Sequence, residues 1–172
     1  MKYALGVAAK SKLAWSHDCH GYVLGRPSVH LFESPQDGDT SALVQRRLVS
    51  SGSPYEPVVG FSRAVRVSDH VFVAGTAPVM PDGGDPPADA YGQAKRCFDI
   101  VLKALEEAGA AAEDVVRTRV YLTRAEDWQE AGRAHGEVFA SIRPANAIIV
   151  VRGFVDPRWL VEIEVDAVVT ER

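Results

Sequence analysis

The period of the apolar residues changes along this chain, and that change limits the folds open to it. Between residues 88 and 108, Tyr91, Ala94, Phe98, Val101, Leu102 and Leu105 recur at spacings of three and four, while Gln93, Lys95, Arg96, Asp99, Lys103 and Glu106 fill the other side. One such stripe predicts an amphipathic helix that must bury against a neighbouring surface. Gly109 stands where a left-handed residue closes a helix. Downstream, Val116, Thr118, Val120 and Leu122 alternate with Arg117, Arg119 and Tyr121, and Val161, Ile163 and Val165 alternate with Glu162, Glu164 and Asp166. A period of two is that of a strand with one face covered. Residues 126–141 return to the helical spacing, with Trp128, Ala131, His135, Val138, Phe139 and Ile142 on one side.

The remaining elements follow from turn chemistry. Residues 62–67 and 71–74 are strand-like runs around Ser68-Asp69-His70, a tight polar connection that reads as a hairpin. Residues 80–87 are a Pro/Gly/Asp loop. Residues 147–151 are nearly all apolar, as expected of a strand covered on both faces. The order is β-β-α-β-α-β-β, an α+β sandwich with two helices packed on one face of a mixed sheet. The opposite face then carries Arg117, Arg119, Glu162, Glu164 and Asp166 among apolar groups, and subunit association would cover it. Cys97 lies beside the helical stripe and reads as a small buried thiol. His135 reads as a packed core or interface histidine.

Composition removes several function classes. The chain has 172 residues, 47% apolar and 24% charged, so a single domain of ordinary globular composition is expected. No apolar run approaches the roughly 20 residues of a membrane-spanning helix. Two cysteines, Cys19 and Cys97, make no disulfide framework, and a reducing, cytoplasmic location is expected. Of 19 basic and 23 acidic residues, 5 and 4 fall in residues 1–46, leaving 14 and 19 in residues 47–172, a net −5 there. That balance argues against a nucleic-acid partner.

Residues 1–46 lack any period. Gly25-Arg26-Pro27 and residues 34–39 read as loop, and Lys10 and Lys12 end the short apolar start. His17, Cys19 and His20 have no second cluster at zinc-like spacing, so no metal site is assigned. The segment is a flexible N-terminal extension or sequence upstream of the folding unit; residues 47–172 form the domain.

Within that domain, Val71-Phe72-Val73-Ala74-Gly75-Thr76-Ala77-Pro78, the first helix with Gln93, Ala108-Gly109 before Glu113-Asp114-Val115-Val116, Pro144-Ala145 before an apolar strand, and Val161-Glu162-Ile163-Glu164 together resemble the RidA family, also called YjgF or endoribonuclease L-PSP-like. The resemblance implies a chorismate-mutase-like fold and a homotrimer that binds small carboxylates in clefts between subunits. It also implies hydrolysis of reactive enamines and imines to carbonyl compound and ammonia, without metal or organic cofactor.

Carried over residue by residue, the resemblance makes Glu162 the glutamate that positions the reacting water. Gly75 and Thr76 keep the family's backbone there. Phe61 replaces a tyrosine, keeping the ring and losing the hydroxyl, and Gly132 falls where the family has an asparagine. Asn146, after Pro144-Ala145, stands where the family has a carboxylate-binding arginine. An asparagine amide offers neutral donors in place of a charged fork. Weak or absent 2-aminoacrylate deaminase activity is therefore expected. Arg63, Arg143 and Arg152 are candidate replacement cations, Arg143 being closest in sequence to the altered position. The alternatives are a non-catalytic trimeric binding module for a small metabolite and RNA cleavage, which the acidic domain disfavours. Glu162 itself also reads as one of three acids on a polar strand face.

Overall fold

The computed structural model describes residues 46–170. Apart from Arg46, the N-terminal extension, including His17, Cys19 and His20, lies outside the described residues. Six strands form one sheet: β1 Arg46–Val49, β2 Ala64–Val67, β3 His70–Thr76, β4 Val115–Leu122, β5 Ala145–Val150 and β6 Val161–Val168. Three helices accompany them: α1 Tyr55–Val59, α2 Ala90–Glu107 and α3 Trp128–Phe139. The spatial order is β1-β2-β3-β6-β4-β5, antiparallel except for the parallel β4–β5 pair. The expected α+β mixed sheet, hairpin and two long helices are all present. β1 and the short α1 are additions that the sequence pattern does not predict.

The buried side chains explain the layering. Val71 and Val73 of β3, Val120 and Leu122 of β4, and Val161, Ile163, Val165 and Ala167 of β6 are all buried, as are Ala94, Cys97, Phe98, Val101 and Leu105 of α2. The alternation read in 160–169 is therefore real: alternate β6 side chains enter the core, and Glu162, Glu164 and Asp166 lie on the face away from the helices. α2 starts where the Asp89 side chain accepts from the Gly92 amide at 2.6 Å. It ends as predicted, with Gly109 left-handed (φ 75°) and the amides of Gly109 and Ala110 bonded to the carbonyls of Glu106 and Leu105.

β5 departs from expectation. Every residue from Ala145 to Val150 is exposed, because the strand sits at the sheet edge and pairs only with β4. An apolar run shows that a strand will be covered; no element among the described residues supplies the cover. The opposite face holds an ionic ladder instead of a core. Arg119 pairs with Asp166 at 3.1 Å and with Glu164 at 3.4 Å, and the Tyr121 hydroxyl donates to Glu164 at 3.0 Å.

Candidate functional site

A defect in the β3–β6 ladder builds the site. Val73 pairs with Val165 and Thr76 with Ile163, so two residues of β3, Ala74 and Gly75, oppose the single Glu164. Such a bulge bends the strand and redirects its neighbours. It brings the Gly75 backbone against the Glu162 side chain: a Cβ at Gly75 would lie 2.1 Å from Glu162 Oε1. Any other residue at position 75 would displace the carboxylate.

Glu162 has no hydrogen-bond partner or ion pair among the described residues. Burial raises its pKa above the ordinary carboxylate value, the Glu164 charge adds to the rise, and the Arg63 charge opposes it. A half-buried carboxylate with free lone pairs can accept a proton from water or orient it.

Arg63 enters from the residue before β2. Its Nη1 donates to the carbonyls of Ala74 (3.3 Å) and Gly75 (2.8 Å) and to Thr76 Oγ1 (2.7 Å), so one nitrogen clamps the bulge. The Phe61 ring lies beside the guanidinium, 5.9 Å from Cζ to the ring centre. Burial lowers the Arg63 pKa, and the charges of Glu56 and Glu162 offset that in part. Phe61 is itself positioned by α1, which closes with Gly60 left-handed (φ 81°) and the Gly60 and Phe61 amides on the Glu56 carbonyl. The Glu56 side chain is buried. Burial works to raise its pKa, but bonds from Ser50 Oγ, the Ser51 amide and Ser51 Oγ outweigh that and lower it.

The structure thus brings Phe61, Arg63, Gly75, Thr76 and Glu162 together. It does not bring Asn146 or Arg143 to them within one chain. Asn146 Nδ2 donates to Thr118 Oγ1 at 2.8 Å, and Thr118 Oγ1 meets His135 Nε2 at 2.9 Å. That relay lies on the helix side of the sheet, opposite Glu162. His135 packs between Phe98 and Phe139, and burial lowers its pKa. Arg143 is exposed, with a left-handed backbone (φ 57°) at the turn into β5. Arg152 is exposed as well, and Gly132 on α3 has open space where a Cβ would stand. Cys97 is fully buried, and burial pushes its thiol pKa far up, which leaves it protonated and inert.

Sequence reasoning missed the Ser50, Ser51 and Glu56 cluster, which carries no recognisable spacing. Among the described residues no cluster of His, Cys, Asp or Glu is arranged to hold a metal ion, and no helix is long and apolar enough to cross a membrane. A shallow hollow of about 540 Å³ is lined by Tyr55, Val155, Asp156, Pro157 and Arg158 and includes none of the site residues.

The fold is an α+β mixed sheet with helices on one face, and comparison with known proteins agrees with that fold. The family described as endoribonuclease L-PSP matches residues 52–169. A crystal structure from Mycobacterium tuberculosis, of a member of the YjgF/YER057c/UK114 family, superposes with a TM-score of 0.67 at 42% identity, covering 73% of this chain and 100% of that one. An uncharacterized protein of Streptomyces coelicolor is 45% identical over 128 residues, covering 74% of this chain and 94% of its own. The 2-iminobutanoate/2-iminopropanoate deaminase of Escherichia coli is 28% identical over 115 residues, 65% of this chain and 88% of its own. The chain belongs to the RidA/YjgF family, the endoribonuclease L-PSP family of the matching description, and its fold is chorismate-mutase-like.

Proposed function

We propose that this protein hydrolyses reactive enamines and imines of small metabolites, releasing a carbonyl compound and ammonia. The observation that carries the reading is Glu162: half-buried, raised in pKa and unpartnered among the described residues, beside the open backbone of Gly75. In the reaction, water adds to the imine carbon while Glu162 accepts the water proton. Glu162 returns that proton to the nitrogen, giving a neutral carbinolamine; its hydroxyl proton then passes by way of Glu162 to the amine as the carbon–nitrogen bond breaks, so that ammonia leaves and the carbonyl forms. The named activity of the Escherichia coli relative supports this class of reaction. No step calls on a metal or an organic cofactor.

Turnover of 2-iminopropanoate and its enamine tautomer 2-aminoacrylate is weak in this reading, because Asn146 offers only a neutral amide and spends it on Thr118. The working assembly is a homotrimer acting in the cytoplasm, its ligand in clefts between protomers. The uncovered β5 edge and the open sheet face support association. The three acids on that face argue against RNA as the substrate, whatever the family description says.

The test generates 2-iminopropanoate in situ by enzymatic oxidation of alanine and follows its loss. The expected result is loss faster than in buffer, slower than with the Escherichia coli deaminase, and accelerated by Asn146→Arg. Loss no faster than in buffer, together with saturable ligand binding, would replace the hydrolase with a non-catalytic binding module.

A further inference from the structure

α1 buries its acid and exposes its apolar side chains. Tyr55 (68%), Val58 (81%) and Val59 (69%) are open to solvent, and the only buried residue of the helix is Glu56, at 8%. A surface helix ordinarily anchors itself by an apolar side chain, and a buried carboxylate is costly without compensation. The Ser51 amide (2.8 Å), Ser51 Oγ (2.7 Å) and Ser50 Oγ donate to it. These bonds outweigh burial and hold its pKa below the ordinary value, so Glu56 is an anion at neutral pH. The positive charge that acts on it is that of Arg63, and among the charges acting on Arg63 that of Glu56 is the largest, ahead of Glu162.

Arg63 and Glu162 converge on one residue. Arg63 Nη1 donates to the Gly75 carbonyl at 2.8 Å, and Glu162 Oε1 lies 2.1 Å from the place a Cβ of Gly75 would take. Opposite charges so placed attract, yet the carboxylate carries no ion pair among the described residues. The titratable groups around Glu162 are Arg63 ahead of β2, Glu164 on β6, Tyr121 opposite it on β4 and Cys97 on α2. Glu56 does not act on it directly.

We infer that Glu56 is a positioning residue of this site, a buried anion that balances Arg63 on the bulge and so keeps the guanidinium from pairing with Glu162. Without that anion, Glu162 is the remaining carboxylate acting on Arg63. Pairing would occupy the Glu162 oxygens and make it a weaker base. The backbone of Glu56 works to the same end, since its carbonyl accepts from the Gly60 and Phe61 amides and fixes the chain that leads into Arg63. The inference deepens the hydrolase reading by naming what keeps its base free; the hold of Glu56 on Arg63 stands without turnover.

The experiment uses the full chain. Glu56→Gln keeps the size of the side chain and its polar partners and removes the charge; Glu56→Gln combined with Arg63→Gln removes both charges. The Glu162 carboxyl resonance is followed by NMR through a pH titration, beside kcat and KM on 2-iminopropanoate generated in situ. In Glu56→Gln the Glu162 midpoint and the acid limb of kcat/KM should both move to lower pH, and kcat should fall about tenfold while KM stays within about threefold. In the double variant the Glu162 midpoint should lie at or above that of wild type, because the cation that opposes it is gone. A midpoint unmoved in Glu56→Gln, or lowered equally in the double variant, would overturn the inference and leave Glu56 a scaffold residue. Folding of the double variant but not of Glu56→Gln would uphold the charge balance, and failure of both to fold would overturn it. A lowered midpoint in a protein without imine turnover would keep the positioning role and sink the hydrolase. Turnover by wild type with an unmoved midpoint in Glu56→Gln would do the reverse.

Discussion

Replacing Gly75 with alanine separates the position of Glu162 from the stability of the fold. The new Cβ would stand 2.1 Å from Glu162 Oε1 and 3.2 Å from its Cδ. Comfortable contact begins at about 3.5 Å, so the carboxylate oxygen must retreat by more than an ångström. The neighbour that gives way is the end of a flexible side chain, and an off-rotamer glutamate costs about 0.5–1.5 kcal/mol. Gly75 does not have a positive φ, so alanine brings no backbone strain. The substitution also recovers about 0.4–1 kcal/mol by restricting the unfolded chain. The net change is within about 1 kcal/mol, a shift in Tm of a few degrees. Activity should respond very differently, since moving a catalytic group by an ångström costs on the order of a hundredfold.

The assay pairs thermal unfolding with kcat/KM on an in situ imine. Gly92→Ala is the counter-case. There the Cβ meets Pro87 Cβ at 2.7 Å, a ring that cannot swing away, so about 1–3 kcal/mol of stability is lost while the activity of the folded enzyme is kept. Wild-type activity in Gly75→Ala would refute the claim that the bulge places Glu162 for chemistry.

Three further outcomes follow from the same geometry. Because burial raises the Glu162 pKa, the native state holds that proton more tightly than the unfolded chain does; its contribution is favourable at low pH and is lost as pH rises from about 4.5 through the raised value. Glu162→Gln should therefore raise Tm at neutral pH, with the gain shrinking toward pH 4.5 in a pH series of melts. Thr118→Val removes the hydroxyl shared by His135 and Asn146 and should cost about 1–3 kcal/mol in denaturant titration, because two polar groups lose their partner. Gly136 lies inside α3 with nothing within 4 Å of the place a Cβ would take, so Gly136→Ala should stabilise by about 0.5–1 kcal/mol in the same titration.

The sheet and long helices are legible in the sequence because their side chains keep strict periods. In 160–169 every second residue is apolar, and α2 shows one uninterrupted stripe closed by Gly109. β1 is not legible: Arg46-Arg47-Leu48-Val49 buries only Val49 and shows no alternation. α1 is five residues long with Pro57 inside it, which reads as loop. β5 departs from its reading because apolar character reports the need for cover and not where the cover comes from. In the candidate site, Glu162, Gly75, Thr76 and Phe61 are named through the family resemblance alone, since neither periodicity nor spacing marks them. Arg63 can be named only as one of three arginines, since its partners are backbone carbonyls across a hairpin and a bulge that leaves no composition signal. Asn146 is picked out by its place after Pro144-Ala145, but its bond to Thr118 depends on the β4–β5 register, which the sequence does not state.

The most direct test of the account is the turnover of freshly generated 2-iminopropanoate by Glu162→Gln. The substitution keeps the shape of the side chain and removes its ability to accept a proton. The account predicts that imine loss falls to the buffer rate while the fold melts at or above the wild-type temperature. Glu162→Gln that hydrolyses the imine as fast as wild type would contradict it.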